Sequence, residues 1–162
     1  MERDYKHYYY IIRGDGNKEI VRKSLDNIYF NDYQFWNDEN VELPLPYECA
    51  SIFLRGACNI FAYELYKKYG YDVYEIKSRD GKANHWFCQS KYQEKVIYID
   101  VRGMTTDFDE FLSEFKNEMG HDYNIKYCKE NEIILPNEEN WEEAGKAFAQ
   151  DILCAHPEFY EV

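Results

Sequence analysis

The segment that most narrows the fold is the run GACNIFAYELYKKYG, from Gly56 to Gly70. Cys58, Phe61, Ala62, Leu65 and Tyr69 recur at the spacing of one helix face, and Gly70 is a residue suited to closing a helix. A helix over Ala57–Tyr69 is therefore predicted, with a cysteine in its first turn. After Gly70 the pattern becomes alternating. DVYEIKS and NHWFCQSK read as strands around RDGK, whose Asp80–Gly81 pair suits a tight turn, and KVIYIDV follows a short polar connection at YQE. A helix followed by hairpin-linked strands predicts an antiparallel β-meander with the helix packed on it.

The flanks are read against that centre. YKHYYYIIR fits either an early strand or the front of a helical region running through NKEIVRKSLDNIYF, with RGDGN between them as a turn signal. NDENVELPLPYE is an extended loop held open by Pro44 and Pro46. Downstream, TDFDEFLSEFKNEMG places Phe108, Phe111, Leu112 and Phe115 on one side, with Thr106 or Asp107 as cap, so an amphipathic helix is expected. YNIKYCK offers a further strand, and NEENWEEAGKAFAQDILCAH a last helix whose apolar face takes Trp141, Ala144, Phe148 and Ile152. The expected fold class is α+β: N-terminal helices, including the cysteine-bearing one, on an antiparallel β-meander, with C-terminal helices. At 162 residues, with no internal repeat or low-complexity linker, residues 1–162 read as a single domain.

Charge narrows the function classes. Lys and Arg total 19 against 31 Asp and Glu, a formal net charge of -12 that repels phosphate backbones and anionic lipid surfaces. Neither nucleic acid nor a membrane is an expected partner, and no apolar run reaches the length of a signal sequence or a span. A soluble cytoplasmic protein is the expectation, and a secreted effector the alternative. Acidic residues concentrate at Asp107 to Glu118 and Glu138 to Glu143; solvated helix faces are one reading, and a docking surface for a basic protein partner the other. The five cysteines, Cys49, Cys58, Cys88, Cys128 and Cys154, form no even, closely spaced framework and are expected as free thiols.

The position of Cys58 raises a chemical possibility. The first turn of a helix has amide groups outside the helical ladder and the positive end of the macrodipole, and both favour the nucleophilic form of a thiol placed there. The same amides stabilise an oxyanion formed when a thiolate attacks a carbonyl. Such a nucleophile needs a base, and the base an orienter. His85 and Asp100 lie on the strands joined by KYQE, and a hairpin that places them directly opposite has its turn centred between Tyr92 and Gln93. Cross-strand neighbours of that kind stand about 4.5–5.5 Å apart at Cβ, within reach of a hydrogen bond that fixes the imidazole tautomer.

With these three residues in order, the sequence resembles the papain-like and transglutaminase-like thiol enzymes over roughly Leu54 to Gly103, through RGACNIFAYEL, NHWFCQSK and VIYIDVRG. The resemblance implies a Cys58–His85–Asp100 triad of nucleophile, general base and orienter. The chain has Arg55, Gly56 and Ala57 ahead of the cysteine, where many members of that family carry a glutamine or tryptophan that helps form the oxyanion hole. The Cys58 amide is then one donor, with Gln34, Asn40 or Asn59 as candidates for the second.

Each of these residues also has a structural reading. Cys58 shares a stripe with Phe61 and Leu65, where a buried, inert cysteine is ordinary; His85 alone suits a hydrogen-bonding role and Asp100 a strand-end turn. Arg102, in DVRG, either orients a substrate carboxylate, braces Asp100, or makes a surface ion pair. Cys88 falls on the opposite strand face from His85, beneath Trp86, and Cys128 and Cys154 read as core-facing. No closely spaced cysteine pair supports a metal site, and no cofactor is expected. The function expected is a thiol enzyme acting on an amide or ester bond of a protein or peptide substrate through an acyl-enzyme. The alternatives are transglutaminase-type acyl transfer and a non-catalytic acidic inhibitor or adaptor that binds a partner protein.

Overall fold

The computed structural model describes residues 8–12, 18–22, 50–54, 56–92, 94–133 and 139–162. In chain order these form β1 (Tyr8–Ile12), β2 (Lys18–Arg22), a 3-10 turn (Ala50–Phe53), α1 (Cys58–Tyr69), β3 (Asp72–Ser78), β4 (Asn84–Tyr92) and β5 (Lys95–Asp100). There follow β6 (Gly103–Thr105), α2 (Phe108–Ser113), α3 (Lys116–Met119), β7 (Tyr123–Cys128), a second 3-10 turn (Glu130–Glu132), α4 (Glu139–Ala155) and α5 (Pro157–Tyr160). The fold is α+β.

The central sheet is antiparallel with strand order β6-β5-β4-β3-β7. β3 and β4 pair from Asp72 opposite Gln89 to Lys77 opposite Asn84, a register centred on Asp80–Gly81 as the turn signal predicts. That turn is closed by the amide of Gly81 on the Ser78 carbonyl at 2.9 Å and by Asp80 Oδ1, which accepts from Ser78 Oγ at 2.7 Å. β7 pairs with β3 and not with its sequence neighbour β6, so it closes the far side of the sheet.

β1 and β2 form a separate hairpin, Tyr8 opposite Arg22 through Ile12 opposite Lys18, with β1 beside β6. Of the two readings of this segment, the strand is the one adopted. Over the described residues, the helices expected ahead of α1 are replaced by this hairpin and a 3-10 turn. Composition explains it, since YYYII and the Ile20–Val21 pair are aromatic and β-branched and suit a pleated surface better than a helix.

α1 starts without a side-chain cap at Ala57, so local sequence does little to anchor its first turn. Packing does that instead. Phe53 meets Phe61 and Phe148 at ring separations of 5.2 and 5.4 Å, tying the 3-10 turn, α1 and α4 together. All three rings are buried, and each contributes about 1.5–3 kcal/mol by leaving water. On its other side α1 covers the sheet face carrying Val73, Cys88 and Ile99, which lie across from one another; Cys88 Sγ donates to the Ala62 carbonyl at 3.4 Å.

The opposite sheet face is covered by α2 and α3. Phe111 packs on Phe87 at 4.9 Å and on Tyr98 at 5.6 Å, and Phe108 on Tyr98 at 5.0 Å. Asp107 caps α2 by accepting from the Glu110 amide at 3.2 Å. The single helix expected here is broken at Glu114–Phe115, where Phe115 adopts φ -107, ψ 9. The break delivers the Phe115 ring to the interior, 4.3 Å from the His85 ring. In α4, Ala144, Phe148 and Ile152 are buried as the periodicity predicts, whereas Cys154, expected in the core, is exposed beside Lys68 Nζ at 3.8 Å. Among the described residues no helix is long and apolar enough to cross a membrane.

Candidate functional site

β4 and β5 pair from Cys88 opposite Ile99 to Tyr92 opposite Lys95. Continued by one step, that register sets Phe87, and not His85, across from Asp100. The hairpin is thus two residues out of the register expected from the sequence, its turn displaced toward Glu94, which takes φ 68. Because side chains alternate with a period of two, an even displacement leaves His85 and Asp100 on the same face, as diagonal neighbours. Nε2 of His85 meets Asp100 Oδ2 at 3.0 Å.

Asp100 is buried, and its carboxylate is satisfied from several directions. Arg102 supplies its backbone amide to Oδ1 at 2.9 Å, Nε to Oδ1 and Oδ2 at 3.0 and 3.1 Å, and Nη2 to Oδ2 at 2.7 Å. The two residues flank the β5–β6 connection, where Asp100 pairs with Gly103, so a tight turn brings the fork onto the carboxylate. Burial alone would push the Asp100 carboxyl up; the Arg102 guanidinium and the hydrogen bonds from His85 and Arg102 outweigh it and hold the group well below the usual carboxylate range. Arg102 Nη2 also donates to the Phe111 carbonyl at 3.1 Å, and its guanidinium lies over the Phe111 and Phe115 rings at 4.9 and 5.2 Å. Of the readings open to Arg102 from sequence, this is the brace on Asp100.

An ionised Asp100 only accepts, so Nε2–H of His85 is the donor and Nδ1 is left as the basic nitrogen of the neutral ring. Nδ1 is buried with no hydrogen-bond partner among the described residues, and the Cys58 thiol is near enough to the ring to act on its basicity. Burial pushes the His85 pKa down, but the hydrogen bond to Asp100 and the interaction with the Cys58 thiol more than reverse it, leaving the imidazole more basic than its ordinary value. The ring is fully buried, stacked on Phe115. Carboxylate and ring plane are both set by neighbours.

Cys58 is the first residue of α1, and its sulfur accepts from the backbone amide of Trp86 at 3.4 Å. β5 ends before it reaches that part of β4, where the Trp86 amide meets the sulfur at the start of α1. At the helix start the Ile60 amide donates to the Ala57 carbonyl at 3.1 Å, and the Cys58 amide lies ahead of that bond. Gly56, Cys58, Asn59, Asn84 and Trp86 line a cleft of about 180 Å³. Gly56 takes φ +137, a conformation that favours glycine.

Of the sequence candidates, Cys58, His85, Asp100 and Arg102 form one chain of contacts, and Asn59 lines the cleft; Gln34 and Asn40 lie outside the described residues, as does Cys49. Sequence reasoning missed Phe111 and Phe115 as the backing of His85 and Arg102, the Trp86 amide as a partner of sulfur, and Asn84 as a cleft residue. Trp86 is buried and is also a cleft wall. Phe111 and Phe115 carried a signal, an aromatic stripe directly after DVRG, but not its destination. Among the described residues no group of three or more His, Cys, Asp or Glu side chains converges to hold a metal ion. Comparison of the chain with protein-family models, with curated proteins and with solved structures finds no match.

Proposed function

We propose that this protein is a thiol enzyme of papain-like or transglutaminase-like arrangement that cleaves an amide or ester bond of a protein or peptide substrate. The observation that supports it is one buried imidazole that meets an Arg-braced carboxylate through Nε2 and interacts with a thiol at the first position of a helix. Nδ1 takes the proton of Cys58 as Sγ attacks the carbonyl carbon, and Asp100 stabilises the imidazolium. The oxyanion is met by the Cys58 amide at the start of α1. His85 returns the proton to the leaving group, and water, activated in turn by Nδ1, hydrolyses the acyl-enzyme. An amine in place of that water gives transfer.

A second reading has one observation in its favour: His85 is 0% exposed and Cys58 only 6%, as in a structural cluster within a non-catalytic, acidic adaptor. Thiol labelling of the native protein across the range where imidazoles and thiols titrate, followed by peptide mapping, separates the two. Preferential modification of Cys58 at low pH, lost in His85→Ala, together with an acyl adduct on Cys58 after incubation in lysate, is the result expected. Slow, uniform labelling of Cys58, Cys88, Cys128 and Cys154 would sink the enzyme reading.

A further inference from the structure

The cleft beside Cys58 contains a polar side chain with no part in the triad. Asn84 opens β4 and lines the cleft together with Cys58, Asn59, Gly56 and Trp86. Its Nδ2 donates to Glu75 Oε2 at 3.0 Å. Glu75 lies on β3 directly across from Trp86, on the sheet face that α1 covers. A carboxylate accepts and does not donate, so the nitrogen of the Asn84 amide must be the atom turned to Glu75. The carbonyl oxygen, Oδ1, is then the polar atom of Asn84 that this bond leaves available to a ligand. None of the five residues lining the cleft is charged. The cleft thus offers the Cys58 amide on the helix side and, on the strand side, an acceptor tethered through the Asn84–Glu75 bond.

We propose that Asn84 is a specificity-determining residue: held by Glu75, its Oδ1 receives the N–H of the substrate's scissile nitrogen, so the Cys58 site selects amides over esters. This rests on the thiol-enzyme reading and deepens it. In the reaction, the Sγ–C bond forms and the C–N bond breaks. The proton held on His85 goes to the departing nitrogen, and water then releases the carboxylic acid and restores the thiol. An ester offers an oxygen lone pair where the amide offers N–H, and that lone pair meets Oδ1 repulsively.

The test needs no knowledge of the natural substrate. Chloroacetamide and methyl chloroacetate alkylate a thiol in the same way: an S–C bond forms, C–Cl breaks, and chloride leaves. The two reagents differ in whether the carbonyl carries N–H. Rates at Cys58 are measured for both by mass spectrometry on the full chain, with exposed Cys154 as the internal reference. The amide-to-ester ratio at Cys58 should exceed that at Cys154 by about tenfold, the worth of one hydrogen bond. Asn84→Ala should bring it to the reference value, and Glu75→Gln, which lets the Asn84 amide rotate, should remove much of the excess.

A ratio at Cys58 equal to the reference, or one that Asn84→Ala does not move, overturns the proposal. Asn84 is exposed, so its replacement leaves the fold in place. His85→Gln separates the two readings. Loss of the absolute rate at Cys58 with the ratio retained supports both; an unaltered absolute rate counts against the thiol enzyme whatever the ratio does.

Discussion

Replacing Arg102 by methionine tests the part of the site on which the rest is built. The side chain gives Asp100 two N–H groups, Nε shared between the carboxylate oxygens at 3.0 and 3.1 Å and Nη2 at 2.7 Å, while the backbone amide at 2.9 Å survives the change. Hydrogen bonds to a charged group are worth about 1.5–3 kcal/mol each. Stranding one partner of a buried pair costs about 3–5 kcal/mol in all. Methionine still fills the space over Phe111 and Phe115, so a loss of about 3–4 kcal/mol is expected, a large part of the roughly 5–15 kcal/mol that holds a domain folded. Urea unfolding followed by circular dichroism measures it. The companion measurement is the double variant Arg102→Met/Asp100→Asn, in which no buried charge is stranded. It should recover at least about 2 kcal/mol relative to the sum of the single variants. A cost for Arg102→Met below about 1 kcal/mol, or strict additivity in the cycle, would show that Asp100 is solvated and unbraced, and the account of His85 would fall with it.

Two further outcomes are expected. Asp100 is held below its ordinary 3.8, so its contribution to stability is complete above that pH and is lost as pH falls through the folded-state value; His85 is raised above 6.5, so its contribution is complete below 6.5 and is lost as pH rises through the folded-state value. Both are complete between those two limits, and melting temperature measured against pH should decline on either side, with the alkaline decline reduced in His85→Gln; an unchanged alkaline limb in that variant would contradict the assignment. Glu94 sits at φ 68, where a side chain costs about 1–2 kcal/mol, so Glu94→Gly should raise stability by about 0.5–1 kcal/mol, read as a shift in urea midpoint; a fall would show that the Glu94 side chain has a role of its own.

Some of this was legible in the residues because the signals are local. The α1 stripe and its glycine stop need a handful of consecutive positions, and the Asp80–Gly81 turn sets the β3–β4 register by itself. The β4–β5 register was not legible, because YQE carries no glycine to mark which residue takes the left-handed conformation, and Glu94 takes it. The break before Phe115 follows from a contact with His85, thirty positions upstream, and helix periodicity knows nothing of it. The pairing of β7 with β3 is non-local for the same reason. At the site, the order Cys58, His85, Asp100 was visible, while the backing rings and the Trp86 amide depend on how whole layers pack.

The connection from Tyr92 to Lys95 acts as a parity gate. A change of register by two residues keeps the carboxylate on the sheet face that carries the imidazole, because side chains alternate with a period of two. Changing it by one would rotate the aspartate through the sheet to the layer occupied by α1, leaving the histidine paired with an isoleucine or valine. Natural or engineered register variants of this hairpin that retain the His85–Asp100 bond should therefore differ by even steps.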